Sequence, residues 1–188
     1  MAKLNALVDR DVIEALYHAA QAGVPITLLI RGICCLRPDV PHVSERIVVR
    51  ALVDRFLEHS RIAWFKNGGQ DDVYLSSADW MPRNYHRRVE IMIPVLDPEI
   101  KTRIIKEILA NSMADNVKSW ALRSDGSYAR TVAAAGDTPF RAQARSTQLA
   151  RELVKETEPP DRAPERYQFI RVHPVSQRRW PEASRARR

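Results

Sequence analysis

A chain of 188 residues, 45% hydrophobic and 28% charged, is long enough for one self-sufficient core and too apolar for wholesale disorder, a collagen-like repeat or a disulfide-held miniature. Its 30 Lys and Arg against 23 Asp and Glu give +7, but +5 of that lies in residues 161–188 alone, so net charge says little about partners of the rest. The longest run without a charge, residues 15–30, contains Gln21, Gly23 and Pro25 and falls short of the ~20 apolar residues of a membrane helix. The opening MAKLNALVDRD lacks the basic-then-apolar order of a signal peptide.

Asp9 or Asp11 is placed to cap a helix whose apolar residues Val12, Ile13, Leu16 and Ala20 recur at three- and four-residue spacing, stopped by Gly23 and Pro25. ITLLIR (26–31) is a continuous apolar run of strand length. Directly after a helix it reads as a buried parallel strand, delivering Arg31 at the C-terminal end, where open α/β sheets hold their ligands. Beyond the Pro- and Gly-containing loop 32–45, the amphipathic stretch IVVRALVDRFLEHS (47–60) reads as partly helical. RIAWF (61–65) and DVYLSS (72–77) flank KNGGQD, the strongest hairpin signal in the chain. RVEIMIPVL (88–96) reads as an apolar strand. Asp97, Pro98 and Glu99 then open a helix with a cap, a first-turn proline and an acidic first turn, and Ile100, Ile104, Ile105, Ile108 and Leu109 form its buried stripe. VKSWALR (117–123) is a further strand, SDG a turn, and 140–156 a last helix started by Thr138 and Pro139. The pattern is α/β, helices layered on a sheet, without an internal repeat.

The two cysteines, Cys34 and Cys35, are adjacent; they bridge only with strain, give no zinc spacing, and read as small buried residues of a reducing compartment. The histidines at 18, 42, 59, 86 and 173 include no i, i+4 pair, so no metal site is expected in this segment, and phosphate-loop and dinucleotide fingerprints are missing. What remains is residues 56–88. His59 and Arg61, two apart on an extended segment, point the same way: a fixed cation neutralises phosphoryl oxygens beside an imidazole that exchanges a proton near neutral pH. The hairpin returns Ser76, Ser77 and Asp79 toward them, followed by Arg83, Asn84, Arg87 and Arg88, and phosphoryl transfer needs mainly such positioning and charge stabilisation. Trp64 and Trp80 are core aromatics or, less favoured, a stacking surface.

LIRGICCLRPDVPHVSE, RFLEHSRI, FKNGGQDDVYLSSADWMPRN and RRVEIMIPVLDPEIK together resemble the C-terminal part of bacterial polyphosphate kinase, the long-chain-synthesising type of the phospholipase D-like superfamily. The resemblance is dense over residues 3–118, looser over 141–155, and does not extend past 158. It implies a phospholipase D-like layered sheet flanked by helices. It also implies reversible transfer of the ATP γ-phosphate to polyphosphate through a phosphohistidine located in an upstream domain. His59 is its catalytic acid or base. The resemblance implies that Arg31, in the RGxC segment, and His59 contact ATP phosphates, with Arg61, Ser77 and Asp79 also expected at ATP or phosphate. Arg83, Asn84, Arg87 and Arg88 are offered as polyphosphate contacts. Arg61 stands where the wider superfamily has Lys.

The same resemblance places the nucleophilic histidine, the magnesium ligands and the adenine contacts in preceding domains, so magnesium has no ligands in this segment and residues 1–158 read as a C-terminal catalytic domain cut short at Met1. Residues 159–188 read as a basic, weakly structured tail. The expected partners are ATP or ADP, inorganic polyphosphate, the upstream domains and further copies of the chain, with no nucleic acid. The expected location is cytoplasmic, extending to the inner membrane face. Two alternatives compete: a non-catalytic polyanion-binding module, marked by salt-sensitive binding without nucleotide, and a phospholipase D-like phosphodiesterase half-site. The 188-residue chain alone is expected to make no polyphosphate from ATP; His59-dependent synthesis by the isolated chain in a phosphate-incorporation assay would overturn this.

Overall fold

The run expected to form a buried strand does so: β2 (Ile26–Ile30) has buried side chains at four of its five positions and lies in the middle of the sheet. In the computed structural model, which describes residues 1–157, it pairs in parallel with β1 (Ala2–Leu4) on one side and β3 (Ile47–Leu52) on the other. Chain reversals then add antiparallel partners outward. The hairpin of β4 (Ile62–Phe65) and β5 (Asp72–Ser76) docks through β4 against β1, and β6 (Met92–Pro94) closes that edge. On the other flank β7 (Ser119–Leu122) pairs with β3, followed by β8 (Tyr128–Arg130). The result is one mixed eight-stranded sheet in the order β6-β5-β4-β1-β2-β3-β7-β8.

Alternating side chains give this sheet two apolar faces. On one, Ala2, Leu4, Leu28, Ile30, Ile47 and Val49 pack under α1 (Arg10–Gln21) through Val12, Ile13, Leu16 and Ala20. Asp9 is the cap of α1, its side chain accepting from the Val12 N–H at 3.2 Å. The other face, Leu29, Ile62, Val73 and Leu75, is covered by a segment that starts as α3 (Pro98–Arg103), widens into a π-helix over Ile104–Ala110 and ends as α4 (Asn111–Ala114). Asp97 caps α3 as expected, through the N–H groups of Glu99 and Ile100. A last helix, α5 (Ala142–Thr157), packs beside α4. The Asn67–Gly69 turn of the β4–β5 hairpin takes φ of 40°, 64° and 100°, which explains an Asn-Gly-Gly there. Among the described residues no helix is long and apolar enough to cross a membrane. The basic tail expected at 159–188 lies outside the described residues.

Four expectations are corrected. Residues 47–60 are not partly helical: Ile47, Val48 and Val49 are β-branched and central to a parallel pair, so the segment is strand β3 followed by an extended connection. The apolar strand expected over 88–96 shrinks to three exposed residues at the sheet edge. The stripe of the 98–114 helix is narrower than a regular helix would give, because the π segment shifts the register. Ile104 and Leu109 are buried, while Ile100 and Ile108 stay exposed. Cys34 is only half-buried and Cys35 exposed, both as free thiols. Trp64 and Trp80 pack against the two cores, and β1 and β8, too short to announce themselves, complete the sheet.

This packing predicts unequal costs within one helix. Leu109→Ala, at a site with no exposure, should cost about 2–5 kcal/mol of unfolding free energy in a urea titration. Ile100→Ala, at a half-exposed site, should cost under about 1 kcal/mol.

Candidate functional site

The two parallel strands β1 and β2 end side by side, and their last residues are followed by Asn5 and Arg31. The backbones there approach so closely that the Gly32 N–H donates to the Asn5 carbonyl at 2.8 Å, and a Cβ at position 32 would stand 2.9 Å from that oxygen. The glycine of the RG pair is thus a requirement of the strand ends meeting. β4 runs antiparallel to β1 and β5 antiparallel to β4, so Arg61 at the start of β4 and Ser76 and Ser77 at the end of β5 arrive at this same edge. The connection 53–60 from β3 to β4 has to cross the ends of β2 and β1 to get there, and it carries His59 across them. One sheet edge thereby gathers Arg31, His59, Arg61, Ser77 and Asp79.

Asp79 is 4% exposed and holds the edge together. Its Oδ1 accepts from the Asn5 N–H at 2.8 Å and the Ala6 N–H at 3.3 Å, and its Oδ2 from Arg61 Nη2 at 2.9 Å. Burial alone would raise its pKa, but the Arg61 and Asn5 hydrogen bonds outweigh it and hold the carboxyl below the ordinary range. Arg61 does not extend alongside the His59 ring as the two-residue spacing suggested; its Nη1 donates to the His59 carbonyl at 3.2 Å while Nη2 is taken by Asp79. Its Nε is sealed from solvent without a protein partner. Arg31, half-buried, forms no ion pair among the described residues, and its Nε too is unpartnered. The ring of His59 is exposed.

Residues 83–88 form a short helix, α2 (Pro82–Arg87), and its end. Arg83, Arg87 and Arg88 are exposed there, whereas Asn84 is buried and donates through Nδ2 to Glu90, which also accepts from the Ser77 hydroxyl. These two donors lower the Glu90 pKa. Arg61, Asn84, Tyr85, Arg88 and Glu90 line a cavity of about 300 Å³ beside Leu4 and Trp80. Sequence reasoning passed over Glu90, Lys3, Glu58 and Gln143, although each touches the site: a Lys inside an apolar strand and a Glu next to His59 were the available signals. Lys3 Nζ lies 2.8 Å from Glu58 Oε2, and Lys3, Arg31 and Glu58 share the lining of one small crevice.

Known proteins show the same domain. The family profile described as polyphosphate kinase C-terminal domain 2 matches residues 1–143, a span that contains every residue of this edge. A polyphosphate kinase of Rhodopirellula baltica is 51% identical over 143 residues, which is 76% of this chain and 17% of that protein. One of Pseudomonas aeruginosa is 51% identical over 144 residues, 77% of this chain and 21% of the relative. The crystal structure of polyphosphate kinase from Porphyromonas gingivalis superposes with a TM-score of 0.78 at 44% identity, over 83% of this chain and 24% of that one. The chain therefore spans about a fifth of the length of these curated relatives. The layered, helix-flanked α/β sheet of a phospholipase D-like domain is the fold they share.

A carboxyl whose folded pKa is depressed contributes stability above its unfolded value, about 4, and loses that contribution as pH falls through the folded one. Asp79→Asn should therefore lower stability at neutral pH and flatten the loss of stability between about pH 5 and 2, read from urea midpoints across that range.

Proposed function

The chain belongs to the polyphosphate kinase family, as its C-terminal domain 2, and from that premise we propose that it supplies one side of the site at which the γ-phosphate of ATP is transferred, reversibly, to inorganic polyphosphate through a phosphohistidine carried by another part of the enzyme. The observation that carries this reading is the convergence of Arg31, His59 and Arg61 at one sheet edge, with Arg31 in no ion pair among the described residues and the histidine exposed.

Each residue then has a chemical task. When a histidine nitrogen attacks the γ-phosphorus, the bond to the β,γ-bridging oxygen breaks and negative charge gathers on the departing β-phosphate of ADP. Arg31, just past the end of β2 and without a carboxylate partner among the described residues, offers its charge to those oxygens. His59, as the imidazolium, gives its proton to the leaving oxygen and takes it back in the reverse direction. Arg61, with Nη1 on the His59 carbonyl and Nη2 on Asp79, adds fixed positive charge beside the phosphate, and Asp79 serves phosphate through Arg61, since a carboxylate that already accepts from four donors would repel an anion that approached it directly. Ser77 reinforces this edge through Glu90. Arg83, Arg87 and Arg88 present exposed charge for the polyphosphate chain, with Asn84 fixing the helix that bears them.

Magnesium, which the family reading implies, does not fit the residues present. Among the described residues no group of three or more His, Cys, Asp and Glu could hold a metal, and the edge carboxylates Asp79 and Glu58 are engaged by Arg61 and Lys3. The domain limits, 1–158 as catalytic domain and 159–188 as an appended tail, the pairing with upstream domains and further copies, and a cytoplasmic place reaching to the membrane face belong to this proposal as well.

Two substitutions in an enzyme carrying this domain check it. His59→Ala should slow synthesis by roughly 10²–10⁴-fold, while polyphosphate affinity and the folding transition stay near wild type; an unchanged rate would sink the acid assignment. Arg31→Ala should raise the KM for ATP more than it weakens polyphosphate binding, and equal losses would reduce Arg31 to a generic anion contact.

A further inference from the structure

Resting on that reading of His59, we propose that Glu58 is the positioning residue of the catalytic histidine, fastened on one side by a buried lysine of β1 and on the other by Gln143 of the last helix. The connection 53–60 has no secondary structure of its own and crosses the open ends of two strands, so nothing in its local backbone would keep it in place. Side chains do so at successive points. Asp54 receives Arg141 at 2.6 and 2.7 Å. The Phe56 N–H donates to Gln143 Oε1 and its carbonyl accepts from Gln143 Nε2, both at 2.8 Å. Glu58 accepts from that same Nε2 at 2.8 Å through Oε1 and pairs with Lys3 through Oε2. The next residue is His59, and its own carbonyl is held by Arg61. The backbone of the histidine is thus tied on both sides, and only its side-chain torsions remain to aim the ring.

Burial makes the fastening specific. Lys3 is 6% exposed and Gln143 7%, so both depend on Glu58 and the Phe56 backbone for satisfaction. The ion pair also sorts charge. Glu58 and Arg31 line the same crevice, and a Glu58 carboxylate without Lys3 would find its counter-ion in Arg31 and withdraw it from phosphate. Lys3 therefore keeps Glu58 for positioning and Arg31 for the substrate.

The test reads the histidine ring by NMR in the full 188-residue chain, which needs no turnover. Glu58→Ala should lower the order of the His59 ring and move its Cε1–H shift toward that of an unstructured histidine, with core methyl signals such as those of Leu28 unchanged. Should that variant fail to fold, Gln143→Ala reads the same ring with the Lys3–Glu58 pair intact. A double variant Lys3→Met with Glu58→Gln, which removes both charges and keeps the Oε1 acceptor, should restore the ring's order where Glu58→Gln alone does not. An unchanged ring in Glu58→Ala overturns the proposal. In an enzyme carrying this domain, Glu58→Ala should lower kcat about tenfold or more at unchanged polyphosphate KM, and add little in a His59→Ala background. A loosened ring with undiminished kcat would instead overturn the catalytic role of His59 and leave the fastening standing.

Discussion

A carboxylate taken out of water has to be satisfied by donors, and Asp79 meets that demand by drawing together three stretches of chain that are distant in sequence. Its oxygens accept from the backbone just after β1 and from the arginine just before β4, while it sits itself just after β5. The neighbouring Trp80 adds backbone hydrogen bonds to Ala6, Val8 and Asp9, so that the same stretch also sets the cap of α1. Beside this node, the β4–β5–β6 side of the sheet is joined to β1 by a two-residue register with β4 and by the hydrogen bonds that Met1 and Trp64 exchange. The edge where Arg31, His59 and Arg61 meet exists because that seam is held.

The second constraint follows from topology. β4 lies beside β1 rather than beside β3, so the chain leaving β3 must pass over two strand ends before it can continue. A connection in that place covers the ligand-facing edge of an α/β sheet, and whatever residues it carries are delivered there. Its own backbone offers no regular hydrogen bonding, which leaves its fixation to Arg141, Gln143 and Lys3. Charge is distributed along the edge in the same economical way. Two carboxylates of this edge are matched by basic residues, Glu58 by Lys3 and Asp79 by Arg61, and Glu90 by the Ser77 and Asn84 donors, while among the described residues Arg31 has no carboxylate partner. The formal +7 of the chain has little to do with this arrangement.

Much of the fold could be read from local signals because those signals act over a few residues. The Asp9 and Asp97 caps, the apolar run of β2 and the Asn-Gly-Gly hairpin are each decided by neighbours within about one turn, and each appears in the structure. Reading failed where the deciding contact is remote. The stretch 47–60 has a helical distribution of apolar residues, yet it pairs with β2 and β7, strands supplied by other parts of the chain. The 88–96 run is apolar enough for a strand, yet its regular pairing is limited to Met92–Pro94 at the edge of β5, with single backbone bonds at Ile91 and Val95 on either side. Cys34 and Cys35 look like core residues by type and sit instead in the loop beyond β2.

For the site, the sequence by itself determined which chemistries were present. An arginine at a strand end, a histidine two residues before another arginine, a hairpin bringing serines and an aspartate back, and the strings shared with polyphosphate kinases all stand in the order of residues. Only the tertiary structure decided which of these groups are engaged with one another and which present an exposed side chain. Spacing alone set His59 and Arg61 side by side, whereas the folded chain turns the Arg61 guanidinium to Asp79 and the His59 carbonyl. Lys3, Glu58 and Gln143, unremarked in the sequence, become the fastening of the histidine. The reason is physical: which donor satisfies which buried acceptor depends on distances across the sheet, and those are fixed by strand order rather than by separation along the chain.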